Sequence, residues 1–281
     1  MTNRRVFLKS AGLGMAAVSL TGIAKASASL PSVDKMPVSG VKLGVASYTL
    51  RAFTQEQALD MTVRCGVHRI TFKSMHLPLD SDQAAIEATL ALCKEKGVTL
   101  YGAGVIKLST KEEVDQAFDY ARAAKLQMIV GDPGYDMLAY IEGKVKKYDI
   151  KLAIHNHGPG EHQLYPSAVD AYEKIKQLDK RMGVCLDIGH TKRINRDPVA
   201  DLKTCFDRVF DIHVKDVTAA TEAGETAIIG RGIIDMVAFL KAVAELKYAG
   251  TLALEYEADM EDPLPGMMES LGYVKGVLAT I

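Results

Sequence analysis

Four short segments of the chain each place histidine or acidic residues directly after a run of apolar residues. They cover residues 154–159, 186–190, 212–216 and 254–257, and they hold four of the seven histidines. Histidine nitrogens mixed with carboxylate oxygens suit a divalent transition ion such as Mn²⁺, Co²⁺ or Zn²⁺, whereas Ca²⁺ prefers oxygen throughout. The residue types therefore indicate a metal site or an acid–base site built from four separate segments.

The order of these residues favours one shared site over isolated structural residues. A single histidine after an apolar run is more often a structural residue whose hydrogen bonds are satisfied. Here four successive runs end in His, Asp, His and Glu. Because side chains alternate along a strand, His155 and His157 share one face and Asn156 takes the other.

Eight short apolar runs rich in β-branched residues alternate with longer segments of helical periodicity. They predict strands near residues 41–48, 68–74, 99–105, 127–132, 151–157, 182–188, 209–215 and 250–256. Capping residues predict helix starts at Thr54, Thr110 and Asp197, and glycine predicts helix ends at Gly66 and Gly97. Strands that alternate with helices require parallel pairing.

Eight such units favour an α/β fold, a single (β/α)8 TIM barrel, with an open doubly wound sheet as the alternative. The dinucleotide-binding form of that sheet needs a GxGxxG motif after the first strand, where Gly44 stands alone. Catalytic groups of a barrel lie at the carboxyl ends of its strands. The four polar segments follow strands five to eight, and we therefore expect them to meet at one mouth.

The N-terminus has the pattern of an export signal. Arg4 and Arg5 precede an apolar stretch too short to span a bilayer, and Ala26 and Ala28 offer an A-x-A cleavage site. We predict a twin-arginine signal peptide over residues 1–28, a barrel domain over residues 29–281 and a periplasmic location. Removing the signal takes away four basic residues and no acidic one, so the net charge falls from −1 to −5.

Composition excludes several functional classes. No run reaches the ~18 apolar residues that a membrane helix needs, so we expect no stable membrane anchor. The net charge of −1 offers no basic surface for nucleic acid. The four cysteines lie too far apart for a CxxC zinc motif or a dense disulfide framework, which predicts small buried residues.

Four motifs carry a resemblance to a known family. Residues 185–190 (CLDIGH), 211–216 (DIHVKD), 230–235 (GRGIID) and 252–256 (LALEY) resemble the xylose isomerase-like superfamily of sugar phosphate isomerases and epimerases. The resemblance covers essentially the whole chain after the signal. It implies the barrel fold and a metal-dependent enzyme of carbohydrate metabolism.

The same resemblance implies a set of metal ligands. Ketose 3-epimerases of the family hold one Mn²⁺-type ion with Glu, Asp, His and Glu from four consecutive strands. Asp187, His213 and Glu255 match three of these positions, and His155 stands where the first glutamate is expected. The implied cofactor is therefore one divalent ion (Mn, Co or Zn) held by His155, Asp187, His213 and Glu255.

The departure at His155 bears on the reaction. In those epimerases two metal-bound glutamates move a proton between opposite faces of the sugar, and a metal-bound histidine has no free lone pair for this task. A metal-stabilised enolate can still isomerise, eliminate or accept water. Because residues 155–158 resemble the histidine cluster of inosose dehydratase, we expect hydratase or lyase chemistry on a keto sugar or keto-glycoside.

Several residues are candidates for the chemistry itself. We expect Glu255 to move protons, and His157 and His190 either to protonate a leaving hydroxyl or to support the metal ligands. The resemblance also implies substrate contacts for His190 and for Glu161. Lys215 could stabilise an enolate oxygen or pair with an acid, and a solvated lysine on the rim is the alternative that we favour.

Other basic residues are candidates for substrate binding. Lys73 and Lys107 follow strands two and three and would face the same mouth. They could hold a substrate group there, and ordinary surface lysines are the alternative that we favour. Arg231 lies between Gly230 and Gly232 on a loop after strand seven. A close approach of backbone to ligand would explain the two glycines, and so would a simple turn.

Two other functions remain as alternatives. One is metal-assisted phosphoester hydrolysis, although a multi-metal nuclease would want more ligands and a basic rim. The other is a non-catalytic sugar-binding barrel. As partners we expect a small-molecule sugar or glycoside and no nucleic acid, and apolar outer helix faces leave room for a homo-oligomer.

Overall fold

The computed structural model describes residues 40–160 and 163–281 of the 281-residue chain. The predicted twin-arginine signal, residues 1–28, lies outside the described residues, and so does Glu161.

Eight parallel strands close into a barrel, as predicted. They are β1 (Lys42–Ala46), β2 (Arg69–Phe72), β3 (Thr99–Leu108), β4 (Met128–Pro133), β5 (Lys151–His155), β6 (Met182–Asp187), β7 (Val209–Val214) and β10 (Thr251–Leu254). Their order around the barrel is β1-β10-β7-β6-β5-β4-β3-β2, which excludes the open sheet. A separate antiparallel pair, β8 (Asp216–Val217) and β9 (Thr226–Ala227), follows β7 at the carboxyl end.

The helices include the three starts and the two ends that capping residues predicted. They are α1 (Gln55–Arg64), α2 (Gln83–Glu95), α3 (Lys111–Ala123), α4 (Leu138–Tyr148), α5 (Ala168–Ile175), α6 (Ile188–Arg193), α7 (Pro198–Cys205), α8 (Met236–Glu245) and α9 (Leu264–Leu278). Thr54, Thr110 and Asp197 accept backbone N–H groups from the first turns of α1, α3 and α7. Gly66 and Gly97 follow α1 and α2 with φ of +66° and +67°.

Apolar packing forms two layers. The larger cluster joins the outer faces of the strands to the helices. A smaller cluster contains Met128, Ala153 and Cys185. Strand alternation puts Ala153 and Cys185 on the same inward face as His155 and Asp187, so this cluster supports the site from below. All four cysteines are free and buried, as the sequence predicted.

Within the described residues, no helix combines the length and the apolar character that crossing a membrane requires.

Candidate metal and substrate site

The four predicted metal ligands meet at the carboxyl end of the barrel. His155 and Asp187 are the last residues of β5 and β6, His213 lies in β7, and Glu255 directly follows β10. All four are buried, and one ligand atom from each lies within 4.8 Å of those of the others. His155 Nε2 is 3.5 Å from Asp187 Oδ2, and His213 Nδ1 is 3.3 Å from Glu255 Oε2.

The chemistry of this cluster fits a divalent cation. His155 Nε2, Asp187 Oδ2 and both ring nitrogens of His213 are buried without a hydrogen-bond partner. Buried polar atoms are normally hydrogen-bonded, so several orphaned atoms at one point need an explanation. Two imidazoles and two carboxylates are a ligand set that transition ions accept.

Local structure aims the free oxygen of Asp187 into the cluster. Its Oδ1 accepts the His190 N–H at 2.8 Å and so caps α6. Asn156 holds the backbone from the other side: its Oδ1 accepts the Asp187 N–H at 2.8 Å, and its Nδ2 donates to the Asp187 carbonyl at 3.1 Å. With Oδ1 committed to the cap, Oδ2 remains for a ligand. Asn156 is a positioning residue that the sequence placed on the opposite face without assigning it a role.

Lys215 is not a solvated rim lysine, and that expectation was wrong. Its side chain is 2% exposed, and its Nζ lies 2.9 Å from Glu255 Oε2 and 3.3 Å from Asp187 Oδ2. It also pairs with Glu257. Burial alone would lower the pKa of Lys215, but the three carboxylates outweigh burial and raise the pKa far above its ordinary value. A Cβ at Gly189 would lie 2.6 Å from Lys215 Cδ, so the glycine makes room for this lysine.

The other two histidines of the four polar segments lie side by side, with their rings tilted by 38° to each other. The ring centroids of His157 and His190 are 4.1 Å apart. His190 Nδ1 lies 2.6 Å from the Gly158 carbonyl oxygen, which can only accept, so Nδ1 carries the proton. Burial lowers the pKa of His190 to about 3, which keeps the ring neutral near pH 7. Its Nε2 therefore offers a lone pair.

A pocket of about 400 Å³ opens above the cluster, within the range of about 300–1,000 Å³ typical of small-molecule sites. His155, Glu255, His157 and His190 line one part of it, and Tyr48, Lys73, Lys107, Asp132, Gln163 and Glu257 line others. Lys73 and Lys107 thus reach the predicted mouth. Asp132 and Glu257 were assigned no role, although the strand-end rule would have found Asp132 in β4.

Arg231 is not brought into this pocket. Its side chain is 64% exposed and forms a bidentate pair with Glu269, at 2.6 and 2.8 Å. The glycines on either side of it contact Asp216: the Asp216 carboxylate accepts the N–H groups of Gly230 and Gly232 at 3.0 Å each. A Cβ at Gly232 would lie 2.2 Å from Asp216 Oδ1. The backbone therefore closes around an internal carboxylate, and the substrate-contact interpretation of Arg231 is not supported.

Solved structures with the same fold span nearly the whole described barrel. An uncharacterized protein from Parabacteroides distasonis ATCC 8503 is 26% identical, with a TM-score of 0.67 over 84% of this chain and 99% of that one. The IolI protein with a bound zinc atom is 14% identical, with a TM-score of 0.71 over 85% and 98%. The probable 3-DHS dehydratase AsbF from Bacillus anthracis is 13% identical, with a TM-score of 0.68 over 84% and 99%.

Sugar 3-epimerases are also among the matched structures. A search of curated proteins found no match. The family model described as the xylose isomerase-like TIM barrel matches residues 59–276, which is most of the chain. The protein therefore belongs to the xylose isomerase-like TIM barrel family.

Proposed function

We propose that this protein is a metal-dependent enzyme that removes the proton beside the ketone of a keto sugar or keto-glycoside, and that it carries out elimination or hydration. The observation that carries this proposal is the buried cluster of two histidines and two carboxylates beneath a pocket of about 400 Å³. Family membership and the dehydratase and epimerases among the matched structures support it at the level of the reaction class.

The metal would be one divalent ion of the Mn, Co or Zn type, held by His155, Asp187, His213 and Glu255. When bound, such an ion polarises the ketone oxygen and lowers the cost of forming an enolate. The zinc atom in the IolI structure shows that this fold accommodates a transition ion.

Proton transfer is assigned to the side chains that share the pocket with this cluster. His190 presents a neutral Nε2 lone pair, because its Nδ1 proton is committed to the Gly158 carbonyl. This lone pair can accept the proton from the carbon beside the ketone, and because burial lowers the pKa of the ring, the imidazolium formed hands that proton on readily. His157, 4.1 Å away between ring centroids, is the second group that can carry this proton.

Glu255 is ionised in this setting. Burial would raise its pKa, but Lys215 and His213 outweigh burial and hold the pKa of this carboxyl well below its usual range. We assign the assisting carboxylate to Glu255 because it lines the substrate pocket, whereas Asp187 does not.

This arrangement favours elimination or hydration over two-base epimerisation. Epimerisation needs proton carriers on both faces of the sugar, and the family epimerases that the sequence resembles use a glutamate at the position of His155. Here the two histidines that can move protons stand together, which suits a proton taken from carbon and handed to a leaving oxygen on the same side of the substrate. Isomerisation can proceed through the same enolate, and the product analysis described below distinguishes it from elimination and hydration.

The substrate is assigned to free sugars or glycosides rather than sugar phosphates. This part of the proposal, together with a periplasmic location, rests on the twin-arginine pattern of residues 1–28 alone.

The test combines metal analysis with proton NMR of 3-keto and 2-keto sugars and their glycosides in D₂O. We expect about one divalent ion per chain, deuterium uptake beside the ketone, and a product that identifies elimination, hydration or isomerisation. His190→Gln should slow deuterium uptake by about 100-fold or more, whereas His68→Gln, an exposed histidine that does not line the pocket, is the matched control. Protein that binds metal but exchanges no proton with any keto sugar would leave the sugar-binding barrel as the better assignment.

A further inference from the structure

A second pocket adjoins the substrate pocket. It measures about 380 Å³ and is bounded by Arg193 at the end of α6, the β8–β9 pair, and Glu257 and Ala258 after β10. Glu257 lines both pockets, and Lys215, its ion-pair partner, lines the second. The two pockets therefore adjoin at Glu257, whose side chain is 33% exposed.

The lining of this second pocket suits a neutral, hydroxyl-rich group. Two cations, Arg193 and Lys215, are balanced by two acids, Glu225 and Glu257, and Thr226 adds a hydroxyl. The other lining residues are glycine and alanine, so the pocket offers hydrogen-bond donors and acceptors without an aromatic surface. An aromatic group would find no stacking partner there, whereas the hydroxyls of a sugar would find both donors and acceptors.

Arg193 is held in place with donors to spare. Its Nη2 donates to the Glu222 carbonyl at 2.7 Å, which fixes the guanidinium against the β8–β9 connection. Its Nε is buried without a hydrogen-bond partner. Since a guanidinium carries five N–H groups, most of the donors of Arg193 have no partner among the described residues.

We propose that this second pocket, which we call the leaving-group pocket, receives a sugar unit that is expelled when the enolate eliminates. The inference rests on the proposed function and sharpens it. A dehydratase expels water, which needs no pocket of this size. The leaving-group pocket therefore assigns the substrate to keto-glycosides with a second sugar unit, rather than to free keto sugars.

The reaction balances without an external oxidant or reductant. The base takes the proton from the carbon beside the ketone, and the C–H electron pair moves into the carbonyl to give the enolate. When the carbonyl forms again, the electron pair moves into a new double bond between the carbon that lost its proton and the next carbon. The bond from that next carbon to the glycosidic oxygen breaks, and its electron pair leaves with the oxygen. The departing oxygen takes up the proton, leaving an unsaturated keto sugar in the substrate pocket and a free sugar in the leaving-group pocket.

The experiment compares two keto-glycosides that differ only in the leaving group, a methyl 3-ketoglucoside and a 3-keto-disaccharide. Ala258→Trp fills the leaving-group pocket, and Ala84→Trp, on the exposed surface of α2, is the matched control. We expect Ala258→Trp to lower the ratio of kcat/KM for the disaccharide to that for the methyl glycoside by about tenfold or more. Ala84→Trp should leave this ratio at the wild-type value.

A second measurement reports on the pocket without chemistry. Saturation-transfer NMR with glucose as the probe should give a signal with the wild-type protein that Ala258→Trp or Arg193→Gln weakens and Ala84→Trp does not. If Ala258→Trp leaves the ratio of kcat/KM unchanged, or if glucose gives no signal that depends on Arg193, the leaving-group pocket is overturned while the proposed function stands. If the wild-type protein eliminates neither glycoside, the leaving-group pocket is overturned even when glucose binds, and deuterium uptake by free keto sugars still decides the proposed function.

Discussion

The two ends of strand β7 carry buried cations that are satisfied in opposite ways. Arg208, just before the strand, is 5% exposed, and its guanidinium donates to five backbone carbonyls between residues 175 and 182. Lys215, just after the strand, is equally buried but faces the carboxylates of Asp187, Glu255 and Glu257. The guanidinium of Arg208 is fully engaged by these carbonyls, whereas four ring and carboxylate atoms near Lys215 are buried without a hydrogen-bond partner among the described residues.

The two residues at the ends of this strand therefore have different roles, one in stability and one in function. A cation enclosed by main-chain carbonyls ties α5 and the start of β6 to the amino end of the barrel, and nothing about it requires a ligand. A cation among carboxylates beside orphaned histidine nitrogens leaves interactions unfulfilled until a ligand arrives. Barrel enzymes place chemistry at the carboxyl end and stability at the amino end, and these two residues follow that division.

The largest effect on stability is expected at Arg208, at the amino end of the barrel. Arg208→Met removes all five hydrogen bonds and leaves buried carbonyls without donors, so we expect the free energy of unfolding to fall by about 4 kcal/mol or more. Arg208→Lys, which restores a charge and some of the donors, should lose less. Urea unfolding measures both, and the loss should be the same with and without divalent metal. A loss below about 1 kcal/mol would show that the carbonyls find other donors.

Lys215→Met tests the buried cation at the carboxyl end of the barrel. Without metal, three carboxylates lose their shared counter-ion, and we expect the free energy of unfolding to fall by about 3 kcal/mol. A divalent ion can take over that positive charge, so adding metal should recover more stability in the variant than in the wild type. Lys241→Met, on the exposed face of α8, is the matched control and should change neither quantity appreciably. Equal losses with and without metal would place Lys215 with Arg208 as a purely structural cation.

The sequence was sufficient for the barrel and for the cluster because both follow from local regularities. Apolar runs and capping residues fix the elements, and the strand-end rule together with alternation brings His155, Asp187, His213 and Glu255 to one point. The burial of Lys215 followed from the same rule, since it lies two residues after His213 and shares its face. Treating it as a rim lysine ignored that periodicity.

Other features depend on contacts that no local pattern records. Arg231 pairs with Glu269 only because α9 packs beside the loop, and the glycines flanking it are explained by Asp216, which lies on a different element. The hydrogen bonds from Asn156 to the end of β6 likewise require the register of β5 against β6. Residue types alone could not distinguish these internal partners from a ligand.

Asp187→Asn tests metal binding separately from folding at the carboxyl end of the barrel. Asparagine keeps an oxygen to cap α6 but removes the charge that faces the cluster, so we expect metal affinity to fall by about 100-fold or more, equivalent to about 2.8 kcal/mol. Isothermal titration calorimetry with Mn²⁺, Co²⁺ and Zn²⁺ measures this loss. Without metal, the free energy of unfolding should fall by less than in Lys215→Met, because the cap survives and Glu255 and Glu257 still pair with Lys215.

Asp235→Asn is the control for that substitution, since Asp235 caps α8 in the same way but lies outside the cluster. It should retain the wild-type metal affinity. If Asp187→Asn also retained it, the four-residue cluster would not be the metal site.

The smallest effect is expected at Arg231, which resembles a site residue only in its motif. Its pair with Glu269 is exposed, and exposed ion pairs contribute about 0–1 kcal/mol because water and salt screen them. Arg231→Ala should therefore lower the free energy of unfolding by about 0.5 kcal/mol or less, and kcat/KM for a keto-glycoside should stay within about twofold of the wild-type value. Steady-state kinetics at low and high salt measures this. A loss of tenfold or more would mean that the guanidinium leaves Glu269 to reach substrate. The substrate site at the carboxyl end of the barrel would then include the loop around Asp216.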